Sequence, residues 1–144
     1  MTKEYRGKYR LKHPSGGPSD PKIVEAVRSR ALQGGLPCST AFEIAEELSV
    51  KPLDVGRSAD LLDLRICRCQ LGLFGYEPEK RIVKPLPSVD DELCKAIRTY
   101  LPEDRLPCAA AFNLAEKFKL AKLTVSSTCE TLGIRIGSCQ LGAF

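Results

Sequence analysis

Residues 20–74 and 90–144 align with no gap at a constant offset of 70, so the chain is a tandem duplication. Leu36-Pro37-Cys38 returns as Leu106-Pro107-Cys108, Ala41-Phe42 as Ala111-Phe112, and Cys69-Gln70-Leu71-Gly72 as Cys139-Gln140-Leu141-Gly142. A repeat of this kind constrains the fold more than any local propensity, because each copy must be one structural unit and the residues kept in both are those that unit needs. Units of about 55 residues bury a modest share of their surface and gain from packing against something else. The expected division is a basic N-terminal arm at 1–19, a first module at 20–74, a proline-rich linker at 75–89 with Pro78, Pro85 and Pro87, and a second module at 90–144.

The formal charge of +4 is unevenly placed. The arm carries most of it through Lys3, Arg6, Lys8, Arg10 and Lys12, whereas both modules are close to neutral. Neutral modules have little of the long-range attraction behind non-specific phosphate binding. In the arm, Tyr5 and Tyr9 alternate with the cations, a composition able to stack on and neutralise a nucleic-acid strand, or simply to solubilise the chain. No apolar run has membrane-spanning length and the N-terminus leads into no apolar signal region, so a cytoplasmic protein with no membrane association is expected.

Each module reads as a helix, a short extended segment, two further helices and a strand. Asp20-Pro21 combines an N-cap residue with proline at the first helical position, and Asp90 stands at the matching place. Ile23, Val24 and Val27 form an apolar stripe answered by Leu93, Cys94 and Ile97. Gly34-Gly35 is expected to end the first helix, and Pro102 to stop its counterpart slightly earlier. Ala41, Phe42, Ala45 and Leu48 then face inward while Glu43, Glu46 and Glu47 face out. Pro52 opens a third helix with Leu53, Val55, Ala59 and Leu62. Residues 64–69 change to a period of two, as a strand does. Ile82-Val83 is expected to dock as a short extended piece.

The spacing of Ile44-Ala45, Leu48, Val50 and Val55, repeated by Leu114-Ala115, Phe118, Leu120 and Val125, is that of a helix-turn-helix. A small residue at Ala45 lets the helices cross closely, and the larger ones fill the angle between them. On these residues both modules resemble the winged helix-turn-helix superfamily of microbial regulators. The fold class implied is α+β, mostly helical, with tandem winged-helix-like modules. Two features depart from the pattern. Ser49 and Lys119 stand where such turns often place glycine, and the chain leaves little room for a second wing strand after Gly142.

The function that follows from the resemblance is a small DNA-binding regulator whose two helix-turn-helix units imitate the two halves of a dimer on double-stranded DNA. The expected outward residues of the third helix are Lys51, Leu53, Asp54, Gly56, Arg57 and Asp60 in module one. In module two they are Lys122, Leu123, Thr124, Ser126, Ser127 and Glu130. Lys51, Arg57, Lys122, Thr124, Ser126 and Ser127, with Arg6, Lys8 and Arg10 of the arm, are the candidate nucleic-acid contacts. Asp54, Asp60 and Glu130 would repel phosphates. Gly56, Ser126 and Ser127 admit close approach by any partner, so a protein-interaction module contacting its partner through the third helix, without DNA binding, is the alternative.

Seven cysteines with no secretion signal do not make a disulfide framework. Cys38, Cys69, Cys108 and Cys139 recur in both copies, and Cys38 and Cys108 fall where the second helix begins, a setting that favours thiolate. They read as small buried hydrophobes, as redox pairs Cys38–Cys69 and Cys108–Cys139, or as part of a shared metal or iron–sulfur site. Ligand spacing argues against the metal: there is no C-x-x-C, and the sole histidine, His13, lies in the arm. Cys94 and Cys129 fall on apolar helix positions. No phosphate loop, nucleophile elbow or metal-protease motif occurs, so neither an enzyme nor a bound cofactor is expected.

Overall fold

The computed structural model describes residues 20–101 and 104–143. Ten elements follow one another among the described residues: α1 Pro21–Arg30, β1 Gly35–Pro37, α2 Cys38–Leu48, α3 Pro52–Leu61, β2 Arg65–Cys67, α4 Asp91–Thr99, β3 Arg105–Pro107, α5 Cys108–Phe118, α6 Lys122–Leu132 and β4 Arg135–Gly137. The protein is α+β and mostly helical, and the five elements of one copy recur in the other in the same order.

The helix starts follow from the side chains present. The Asp20 carboxylate accepts from the Lys22 amide at 2.9 Å with Pro21 at the first helical position, and Asp90 accepts from the Glu92 amide at 2.9 Å. Each satisfies a donor the helix itself leaves orphaned. α1 ends at Arg30, before the glycines expected to stop it. Gly34 takes a left-handed turn (φ 80°), and Gly35 opens β1. α4 ends one position earlier in its repeat, at Thr99; Pro102 lies outside the described residues.

α2 and α5 end identically. Ser49 and Lys119 adopt left-handed backbone (φ 53°, ψ 44° and φ 55°, ψ 45°) without being glycine. The following amides, of Val50 and Leu120, donate to the Ala45 and Ala115 carbonyls at 3.0 and 2.8 Å. This closure satisfies carbonyls the helix would otherwise leave bare, which offsets the cost of a side chain in that region.

The strands are three residues long and pair in parallel, Leu36 opposite Ile66 and Leu106 opposite Ile136. The strand expected over residues 64–69 is therefore shorter, because Arg68 turns left-handed (φ 48°), as does Ser138 at the matching place (φ 51°). Among the described residues no further strand follows β2 or β4 in these sheets, so each copy carries the helix pair with a parallel two-stranded element.

The chain divides into two compact units that do not coincide with the repeat. The first is residues 20–69 together with Leu141–Ala143; the second is Gln70–Gln140. The first unit has a core of Ile23, Val27, Leu36, Ala41, Ile44, Val55, Ala59 and Ile66, with Leu141 buried beside them in the same unit. The second buries Leu71, Val83, Leu93, Ile97, Leu106, Ala111, Leu114 and Val125.

Much of the stretch at 75–89 is fastened within the second unit. The Ile82 and Val83 amides both donate to the Gly72 carbonyl, at 2.9 and 3.1 Å, and Val83 is buried. Arg81 pairs with Glu130, and the Leu86 amide and carbonyl both engage the Thr131 hydroxyl. Ile82-Val83 docks as expected, on Gly72, and the side chains of Glu130 and Thr131 in α6 hold the residues on either side of it.

Candidate helix-three face and cysteine sites

The helix pair forms as its spacing requires. Ile44, Ala45, Val55 and Ala59 are buried in the first unit, and Leu114, Ala115, Val125 and Cys129 in the second. Small side chains at Ala45 and Ala115 let α2 approach α3 and α5 approach α6, and the two helices within each pair are in direct contact.

The outward face of the third helix is the main departure from expectation. Lys51, Leu53 and Asp54 are exposed and Arg57 is half-buried, but Gly56 and Asp60 are buried. In α6, Lys122, Leu123, Thr124 and Glu130 are half-buried, while Ser126 and Ser127 are only 1% and 6% exposed. The two serines are therefore not placed to reach a base or a phosphate. Lys122 sets its ammonium 4.9 Å from the centre of the Phe112 ring, a cation–π contact with a side chain of α5. Arg6, Lys8 and Arg10 lie outside the described residues.

What covers the face in the first unit is the end of the second repeat. A methyl group built on Gly56 would overlap the Leu141 carbonyl and lie 2.7 Å from its carbon, so only glycine admits that backbone. Leu141 is 1% exposed, and Gly142 (φ 76°) sits against the Leu53 side chain. In the second unit the end of the first repeat has a matching seat. Leu71 is fully buried, and a methyl on Gly72 (φ 74°) would come within 2.6 Å of Leu123 and 3.0 Å of Ile82. Leu53 and Leu123 are equivalent positions, so each unit uses the same helix-three leucine against a Leu-Gly step.

Two signals for this arrangement stand in the sequence: Gln-Leu-Gly kept intact in both copies, and a glycine in the middle of α3, where it costs about 1 kcal/mol relative to alanine. Neither says which helix the segment meets.

None of the seven cysteines is in a disulfide. Cys38 and Cys108 are buried at the first turns of α2 and α5, Cys69 is buried and Cys139 half-buried. The Cys108 sulfur accepts from the Gln140 amide at 3.5 Å, so the residue after Cys139 reaches it. Burial pushes the Cys67 thiol up, against the pull of Arg65 and Arg68. Cys129 is pushed up to about 11, by burial first and then by Cys94, which places these two side chains near each other between α4 and α6. A neutral thiol is a poor nucleophile and a poor metal ligand. Among the described residues no group of three or more His, Cys, Asp or Glu side chains is arranged to hold a metal ion.

Among the same residues no helix is long and apolar enough to cross a membrane. Comparison with protein-family models, with curated proteins and with solved structures returns no match.

Proposed function

We propose that the chain is a non-catalytic protein-interaction module built on two helix-turn-helix units, with the third helix of each serving as a seat for short Leu-Gly-containing segments. The burial of Gly56 against the Leu141 backbone carries this reading. A helix that reads a major groove must present such side chains to base edges. Here that face receives a peptide backbone, the kind of ligand a glycine in a helix accommodates and a duplex does not require. The near-neutral charge of both units agrees with it. Seven reduced cysteines suit a reducing compartment, and on that ground the cytoplasm is the proposed location.

The DNA-binding regulator of the winged-helix superfamily is the second reading, favoured by the left-handed turns at Ser49 and Lys119 and by the accessible Lys51 and Arg57. Fluorescence anisotropy of the full chain against pooled genomic duplexes, with a salt titration, separates the two. The interaction reading expects weak binding that the double variant Lys51→Ala/Arg57→Ala leaves unchanged. Tight binding that falls steeply with salt and is lost in that variant would replace it with the regulator.

A further inference from the structure

The seat on α3 and the segment that fills it lie far apart in the chain, and the segment reaches it through a hinge. β4 ends at Gly137; Ser138 follows with φ 51°, a left-handed backbone that a serine adopts at a cost; then Cys139 and Gln140 lead to Leu141. Gln140 still belongs to the second unit and is bonded to Cys108, whereas Leu141–Ala143 belongs to the first. The hinge is therefore two or three residues long and strained, the condition under which identical elements exchange between copies of a protein.

We propose that the α3 seat accepts Leu141–Ala143 of a second copy of this chain, giving a reciprocal dimer in which each copy completes the other's first unit. The proposal rests on α3 being a peptide seat, as above. Every seat contact is the same whether the segment comes from its own chain or another: Gly56 receives the Leu141 backbone and Leu53 covers Gly142. The balance is then set by two quantities only. One is the effective concentration of the chain's own segment, which favours the monomer. The other is the strain at Ser138, which an opened hinge releases. Protein concentration shifts the first and substitution at Ser138 shifts the second.

The test is complementation between two full-length variants. Gly56→Ala blocks the seat and leaves the segment intact; Leu141→Asp spoils the segment and leaves the seat intact. Each alone runs as a monomer by size-exclusion light scattering. Their mixture is expected to yield a species of twice the mass, enriched at least tenfold over either variant alone, because the segment of the first fits the seat of the second. A mixture that stays monomeric overturns the exchange. A synthetic peptide of residues 137–144 added to the Leu141→Asp chain distinguishes the failures: binding of the peptide keeps the seat and rejects only the dimer, and no binding rejects both. Independently of Gly56, the unsubstituted protein is expected to show a dimer fraction that rises with concentration and drops severalfold in Ser138→Gly. A fraction that is zero, or equal in the two proteins, overturns the proposal.

Discussion

The two units share their helices, turns and strand register, yet they receive the Leu-Gly segment differently. At the centre of α3 the first has Gly56, and a methyl group there has no space. At the same place in α6 the second has Ser126, whose side chain is accommodated, 1% exposed, with no hydrogen-bond partner for its hydroxyl. A similar asymmetry runs through the first and third helices of each copy. Val24 and Ala59 of the first unit correspond to Cys94 and Cys129 of the second, where burial holds a thiol in its neutral form. The first copy thus has a tight seat and the second a looser one. The retained residues define the seat, and the substituted ones define how closely the backbone can approach.

The contrast can be broken most strongly at the helix centre. Gly56→Ala is expected to destabilise the protein by about 3 kcal/mol, at the upper end of overpacking costs, because the obstacle is a backbone carbonyl that cannot rotate away. Urea denaturation measures this; a loss under about 1 kcal/mol, the scale of the propensity gain that alanine brings to a helix interior, would mean that the two seats are equivalent.

A pH titration separates the units next. The Cys129 thiol ionises at about 11 in the folded protein against an ordinary 9.0, so the unfolded chain loses its proton first as pH rises. The stability this group contributes is fully present below about pH 9 and disappears as pH climbs toward 11. Replacing Cys129 by alanine, the residue at position 59, should flatten that part of the stability profile. Parallel profiles for the two proteins would remove the distinction.

Ser126→Ala should act opposite to Gly56→Ala, raising stability by up to about 1 kcal/mol, since it deletes a buried hydroxyl without a partner. Thermal unfolding is the readout, and a clear loss would show that the hydroxyl is engaged. Smallest is the effect at the matched turns. Ser49→Gly and Lys119→Gly should each stabilise by roughly 0.5 kcal/mol, as relief of left-handed strain exceeds the added chain entropy. Unequal effects would show that the turns, alike in φ and ψ, are supported differently.

Much of the local structure is legible in the residues themselves. Asp20-Pro21 and Asp90 cap helices, Ala45 and Val55 are buried in the contacting helices α2 and α3, and residues 65–67 form a strand. Each of these depends on near neighbours or on a strict period, information carried by a few adjacent residues. The proline-rich segment is legible in part: Ile82 and Val83 dock on Gly72 as expected, whereas Arg81 and Leu86 are held by Glu130 and Thr131, partners that composition does not reveal. Along helix three, Lys51, Leu53 and Asp54 are exposed as expected, whereas Gly56, Asp60, Ser126 and Ser127 are covered for the same reason. Helical periodicity separates the face toward α2 from the rest, but not solvent from a second covering segment.

The residues alone determined a duplicated unit, its cap chemistry, the contact of its second helix with its third and the place of the turn at Ser49 and Lys119, since these follow from side-chain size, period and backbone sterics within a few turns of chain. Only the tertiary structure decided that Leu141 lies on Gly56, that Ser126 and Ser127 are buried, and that the compact units cut across the repeat. Those depend on which distant segment arrives at an apolar face. Hydrophobic attraction has no direction, so an apolar face does not specify which segment will cover it; the fit of one backbone against one missing side chain does.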